Sequence, residues 1–282
     1  MVKIAAVQMA MLENQNANIA KAEKMVREAA SLGAQIVLLP ELFEGLYFCK
    51  DMDDKYFSWA KELYNHPLIK QFSALAKELE VVLPISYFEK SGADYYNALV
   101  VIDADGTVLE NYRKTHIPDG PGYEEKFYFK PGDTGFKVWE TKYAKIGVGI
   151  CWDQWFPESA RAMALMEAEL IFYPTAIGSE PEINVDSSQH WQRVQQGHAA
   201  ANTVPVIAAN RVGVEAGESC SLTFYGHSFM TDATGAVLAE AKRDEEMVVF
   251  AEYDLAEQQK LREYWALFKD RRPEIYGGLC DG

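Results

Sequence analysis

Blocks of this sequence recur in the same order, and that recurrence restricts the fold more than any other feature. AQIVLLPE (34–41) pairs with AELIFYPT (168–175), and VIDADGTVLE (101–110) pairs with FMTDATGAVLAE (229–240). Around them the first half reads as strand KIAAVQMA (3–10), helix 16–32, strand AQIVLLPE, helix 66–79, strand VVLPIS (81–86) and a hairpin turning at Asp105-Gly106. The second half repeats this: strand KIGVGI (145–150), a helix from about Pro157 to Glu167, strand AELIFYPT, a helix at about 187–202, strand VPVIAAN and hairpin HSFMTDATGAVLAEA. Strand-helix alternation is common, so convergence is the alternative, but the shared order favours an internal duplication. Two such units with antiparallel hairpins predict an α/β chain folded as a four-layer α-β-β-α sandwich of two mixed sheets.

With 282 residues, 49% hydrophobic and 24% charged, the chain suits a single domain spanning 1–282 with a sizeable core. Residues from about 255 onward form an extension that either wraps a neighbouring subunit or covers the sheet. The formal charge of −15 opposes binding to nucleic acid or to an anionic membrane and welcomes a small cation. Cys49, Cys151, Cys220 and Cys280 are scattered, without a CxxC pair or a histidine cluster, so no metal is expected. MVKIAAVQMA lacks the charged and apolar regions of a signal peptide, and no apolar run reaches membrane-spanning length. A cytoplasmic protein with reduced thiols is the expectation.

Ligands of open α/β sheets gather beyond the carboxyl ends of strands. Glu41 directly ends the second strand, Lys114 follows the first hairpin, and Cys151 ends the first strand of the second half. A thiol at such an elbow sits near a helix N-terminus, which favours the thiolate, although a free cysteine is most often a buried small hydrophobe. Glu41 follows four apolar residues and a proline, so its carboxyl is either a desolvated base or a structural ion-pair partner. Lys114 opens a long loop rich in Gly, Pro and aromatics, YRKTHIPDGPGYEEKFYFKPGDTGF, where ordered length points to function. Together the three specify covalent acyl transfer. The carboxylate takes the thiol proton, the thiolate attacks, and the ammonium and a backbone N–H oppose the oxyanion; the acid then protonates the departing nitrogen. His116, His198 and His227 occupy no equally telling place.

VLLPELF around Glu41, YRKTHIP around Lys114 and GVGICWDQWFPE around Cys151 together resemble the carbon-nitrogen hydrolase, or nitrilase, superfamily. The resemblance covers nearly the whole chain. It implies the α-β-β-α fold, a catalytic Glu41, Lys114 and Cys151, and a second glutamate that orients them. Glu125 in GYEEKFYF matches that position, with Glu124 competing. The loop HIPDGPGYEEKFYFKPGDTGF further resembles the branch that hydrolyses a carbamoyl group on a diamine, which implies no cofactor and a homo-oligomer built from dimers.

Relatives acting on carbamoyl amino acids place arginines shortly after the nucleophile to grip a carboxylate. CWDQW has none. A small cationic carbamoyl substrate instead needs acceptors and aromatic faces, and Glu180 is the expected amine anchor, with Tyr47, Tyr123, Trp152 and Asp153 in the pocket. Asp153 has a second reading, as a helix cap or a support behind the site. The competing functions are a sibling hydrolase of another carbamoyl or amide substrate, with Arg193 or Arg211 reaching the site, and a catalytically silent binding protein of the same fold.

Overall fold

Every strand in the middle of this protein is buried on both faces, which is why the strands read as apolar runs. The computed structural model describes residues 1–179, 181, 185–218 and 220–279. The first half runs β1 (Val2–Gln8), α1 (Gln15–Ser31), β2 (Ile36–Leu38), α2 (Pro67–Leu79), β3 (Leu83–Ser91), β4 (Asp94–Ile102) and β5 (Val108–Arg113). Next come α3 (Glu125–Tyr128), β6 (Val138–Glu140), β7 (Lys145–Val148), α4 (Pro157–Leu165), β8 (Leu170–Pro174), α5 (Ser188–Asn202) and β9 (Val206–Ala209). Then β10 (Val212–Ala216), β11 (Ser221–Tyr225), β12 (Phe229–Thr231), β13 (Val237–Glu240), β14 (Met247–Tyr253) and α6 (Leu255–Trp265) follow.

One sheet has the order β6-β7-β8-β9-β12-β13. The other joins the three strands β14-β1-β2 to the three strands β3-β4-β5, because the Val37 N–H donates to Val82 O at 3.0 Å and the Val82 N–H to Gln35 O at 2.9 Å. Each sheet therefore starts with an antiparallel edge strand, continues through three parallel strands and ends in an antiparallel hairpin. The duplication expected from the letters is present in the strand order.

Alternation along each strand builds the layers. Val2, Ile4 and Ala6 of β1 and Ile36 and Leu38 of β2 share a core with Ile146 and Val148 of β7 and Leu170 and Phe172 of β8, between the two sheets. The intervening residues Ala5, Val7 and Val37 pack against Ala22, Val26 and Ala29 of α1 and Phe72 and Leu75 of α2. On the opposite side Ile171, Tyr173 and Val206 meet Ala160, Met163 and Ala164 of α4 and Ala199 of α5. Helix α2 starts on Pro67 at its first turn and stops at Glu80 in the left-handed conformation, so its ends lie where the sequence places them.

Several elements depart from expectation. Strand β3 continues to Ser91 and turns directly into β4 through Gly92, and the hairpin β10-β11 and strands β6 and β14 were not foreseen. AQIVLLPE is regular strand only over Ile36–Leu38, because the chain leaves the ladder at Leu39 to reach Pro40 and Glu41. Beyond β14, α6 is three turns rather than two, capped by Asp254, and Arg262 donates to the carbonyls of Ala164 and Ala168 at the end of α4. No helix among the described residues is long and apolar enough to cross a membrane.

Candidate active site

Glu41 sits where the chain leaves β2, and three contacts hold that elbow. Its N–H points to Thr175 O at 3.4 Å, the Ser86 hydroxyl takes the N–H of Leu42 at 3.1 Å, and Leu42 itself is left-handed at φ +47°. The fully buried guanidinium of Arg211, just past β9, grips the elbow's carbonyls: Glu41 O at 2.9 Å, Leu42 O at 2.7 Å and Gly45 O at 2.9 Å. Glu215 pairs with it at 3.0 Å and accepts the Tyr47 N–H at 2.6 Å.

Lys114 follows β5 immediately, with its N–H donating to Asn97 O and its carbonyl accepting from Gly132. Residue 132 has to be glycine, because a Cβ there would stand 2.1 Å from Arg113 O. The Lys114 ammonium donates to Glu41 Oε1 at 2.9 Å and to Glu125 Oε1 and Oε2 at 2.8 and 2.7 Å, and all three side chains are fully buried. Asn97 donates to Glu41 Oε1 at 2.7 Å and the Tyr47 hydroxyl to Glu125 Oε1 at 2.7 Å. Of the two candidate glutamates the structure brings Glu125 to Lys114, with both oxygens engaged. Glu124 lies at the start of α3, outside this group.

Glu41 Oε2 is buried without a hydrogen-bond partner among the described residues, so it is the atom free to exchange a proton. Burial works against the Lys114 charge, but Glu125 and Glu41 outweigh it and hold the ammonium above its ordinary range. Burial lifts the Glu125 carboxyl against the pull of Lys114.

Cys151 follows β7 as the first residue of a single 3-10 turn, Cys151–Trp155, and stands in the left-handed region at φ +42°. Its thiol faces Ala176 O at 3.8 Å. Burial pushes the thiol well above its usual value, Glu41 adds to the rise and Lys114 offsets part of it. The expected helix-favoured thiolate is therefore corrected: one 3-10 turn provides little dipole, and the resting group is a thiol that needs a base.

Cys151 opens onto a cavity of about 560 Å³. Its wall includes Tyr123, Glu125, Trp152, Trp155, His190 and Asp119, and no lysine or arginine among the described residues. Tyr123 and Trp152 thus lie where the sequence put them. Two expected pocket residues do not. Tyr47 is fully buried behind Glu125, with its hydroxyl used on that carboxylate and its ring against Tyr123 and Phe224. Asp153 is fully buried and its carboxylate is filled by protein donors, leaving no acceptor for a substrate. Glu180 lies outside the described residues, and so does Cys280. Arg211 is consumed at the Glu41 elbow, and Arg193 is exposed on α5 away from the described wall. Among the described residues no group of three histidine, cysteine or acidic side chains is arranged to hold a metal ion.

Sequence reasoning missed Glu215, Asn97 and Asp119, and named Arg211 only as a group that could reach the substrate rather than as the brace of the Glu41 elbow. Asn97 had a signal, since it opens NALVVI on the strand beside β5 and so faces Lys114. Asp119 had one too, in the Pro-Asp-Gly-Pro run of the loop already singled out.

The sequence profile of carbon-nitrogen hydrolases matches residues 3–263. The chain belongs to that family. A citrullinase of Francisella tularensis is 54% identical over 98% of this chain and 96% of its own length. An N-carbamoylputrescine amidase of Arabidopsis thaliana is 54% identical over 98% and 94%. The crystal structure of a carbon-nitrogen hydrolase from Helicobacter pylori G27 superposes with a TM-score of 0.92 at 39% identity, covering 99% of this chain and 98% of that one. The two mixed sheets with their helices are the family's α/β fold, and this hydrolase is an enzyme that cleaves amide-type carbon–nitrogen bonds.

Proposed function

We propose that this hydrolase converts N-carbamoylputrescine to putrescine, carbon dioxide and ammonia through a thioester on Cys151, a step of polyamine biosynthesis. The observation that carries the reading is the buried Glu41–Lys114–Glu125 group set beside the thiol at a cavity whose described wall offers a carboxylate and aromatic faces but no lysine or arginine. Glu41 takes the thiol proton as sulfur attacks the carbamoyl carbon. Lys114 and the N–H of Trp152, at a turn start where N–H groups lack intrahelical partners, oppose the oxyanion charge. The tetrahedral adduct collapses, Glu41 returns the proton to the departing nitrogen, and putrescine leaves a carbamoyl thioester. Water activated by Glu41 then releases carbamate, which breaks down to carbon dioxide and ammonia. Glu125, fixed by Tyr47, holds Lys114 in place.

The distal ammonium of the substrate lies against Tyr123, Trp152 and Trp155, with Asp119 and Glu180 as its acceptors. Citrulline is the second reading, favoured by the citrullinase relative. It bears the same ureido group and an ammonium but adds a carboxylate, for which the described wall has no guanidinium or ammonium. Ammonia release from N-carbamoylputrescine, citrulline and N-butylurea separates these. N-carbamoylputrescine is expected to have the highest kcat/KM, with no turnover by Cys151→Ser, and a preference for citrulline would replace the reading. The same proposal takes the chain as one domain that acts in the cytoplasm as a homo-oligomer built from dimers. The segment after β14, which exposes Tyr264, Trp265, Ile275 and Leu279, then contacts a neighbouring subunit. Light scattering of the chain cut after Asp254 tests this, since unchanged mass would remove that contact.

A further inference from the structure

We infer that Asp153 is a positioning residue of this site: its carboxylate locks the Cys151 elbow to the strand end that carries Lys114. The inference rests on the thioester reading. Cys151 is a non-glycine residue in the left-handed region, a conformation that persists only where the surroundings over-determine it. The residue two places on provides that restraint. Asp153 Oδ2 accepts the N–H of Ile150, the residue just before the nucleophile, at 2.9 Å, and the Tyr112 hydroxyl at 2.7 Å. Asp153 Oδ1 accepts the N–H of His116 at 3.0 Å and lies 2.7 Å from His116 Nδ1, which therefore carries its hydrogen.

The four donors thus come from the residue before Cys151 and from the residues two before and two after Lys114. One fully buried carboxylate sets the distance between nucleophile and ammonium. Its own position is fixed from behind. The Ser159 hydroxyl donates to Asp153 O at 2.7 Å at the start of α4, and the His116 ring lies flat on Phe156 with centroids 3.6 Å apart and planes within 5°. Only a carboxylate can serve, because all four of its contacts are donors; an amide would turn its own N–H groups toward two of them. Neither the sequence spacing nor the cavity wall needs an acid here, and the arrangement matters because reacting groups displaced by an ångström lose most of their rate.

Asp153→Asn and Tyr112→Phe test the assignment, each read by kcat and KM on N-carbamoylputrescine, by thermal melting, and by the rate at which iodoacetamide alkylates Cys151, located by peptide mass spectrometry. The alkylation arm needs no substrate, so it stands even if the substrate proposal fails, which lack of turnover by the wild type would reveal separately. Asp153→Asn is expected to lower kcat about 100-fold with KM within about 3-fold, and to slow alkylation about 10-fold or more. Tyr112→Phe, which keeps the ring and three of the four donors, is expected to lower kcat about 5-fold. A folded Asp153→Asn that melts earlier but alkylates and turns over within 3-fold of wild type would make the residue merely structural and overturn the inference. Should Asp153→Asn not fold, Tyr112→Phe decides, and wild-type alkylation and kcat in it overturn the inference equally.

Discussion

Arg211→Met perturbs the site without touching a residue of the cavity wall. Methionine matches the length of the guanidinium side chain but leaves Glu41 O, Leu42 O and Gly45 O without their donor and strands Glu215 in the interior. Removing one partner of a buried ion pair costs about 3–5 kcal/mol. Two neighbours soften the loss: Glu215 keeps the Tyr47 N–H at 2.6 Å, and Lys50 Nζ stands 4.0 Å from its Oε2. The expectation is therefore the low end, about 3 kcal/mol. For 282 residues at about 2.1 cal/mol/K of unfolding entropy each, that is a fall in Tm of about 5 °C. Urea unfolding followed by circular dichroism measures the first figure and a thermal scan the second. Because the Glu41 elbow is slackened, kcat measured well below Tm should also drop about 10-fold. Arg211→Lys keeps the charge yet lacks the planar fork that spans three carbonyls, so it should recover part of the stability and little of kcat. Full recovery of both by lysine, or a loss below about 1 kcal/mol for methionine, would refute the reasoning.

Three other outcomes follow from the geometry. Tyr47→Phe removes the hydroxyl that donates to Glu125 and should cut kcat about 10-fold at unchanged KM, the value of one hydrogen bond to a charged group; ammonia release is the measurement, and an altered KM alone would return Tyr47 to substrate contact. Asp119→Asn should raise KM for N-carbamoylputrescine about 5-fold, as an exposed charge pair warrants, and leave the neutral N-butylurea unaffected, whereas equal effects on both would exclude a role in binding the ammonium. His66 and His198 are buried, with no ring nitrogen hydrogen-bonded among the described residues, and burial lowers both to about 4, so stability present above pH 6.5 is lost as pH falls toward 4. Glu44, lifted by burial to about 7, works the other way between pH 4.5 and 7. His66→Phe should thus flatten the stability profile between pH 4.5 and 6.5 by about 1.4 kcal/mol per pH unit, one proton's worth, and an unchanged slope in urea titrations would contradict the assignment.

Glu41, Lys114 and Cys151 were legible because each stands directly beyond a strand marked by apolar residues and a breaker, so position along the chain translates into position in space. Glu125 was legible through resemblance rather than pattern. Glu215 and the bracing role of Arg211 were not, for nothing in ANRVGVEAG announces that a guanidinium will turn inward to carbonyls 170 residues away. Asp153 was legible only in its second reading, as a support behind the site, and not as a pocket residue. The sequence places it two residues after the nucleophile, but the direction of a side chain leaving a 3-10 turn depends on the left-handed Cys151 before it, and no local propensity encodes that. β14 alternates imperfectly and pairs with β1 across the whole length of the fold, so its partner is set by which edge of the sheet is open rather than by any nearby signal.

The pairing of β14 with β1 also bears on how this enzyme is made. Residues 2–8 cannot complete their sheet until residues 247–253 have left the ribosome, and Arg211, which braces Glu41, is synthesised 170 residues after it. A nascent chain that has just exposed Cys151 therefore has Glu41 without its Arg211 brace and, in the other sheet, a bare β1 edge. The Glu41 elbow thus gains its brace only after both Glu41 and Cys151 have been made. The bare edge, in turn, is the segment that a chaperone would have to cover.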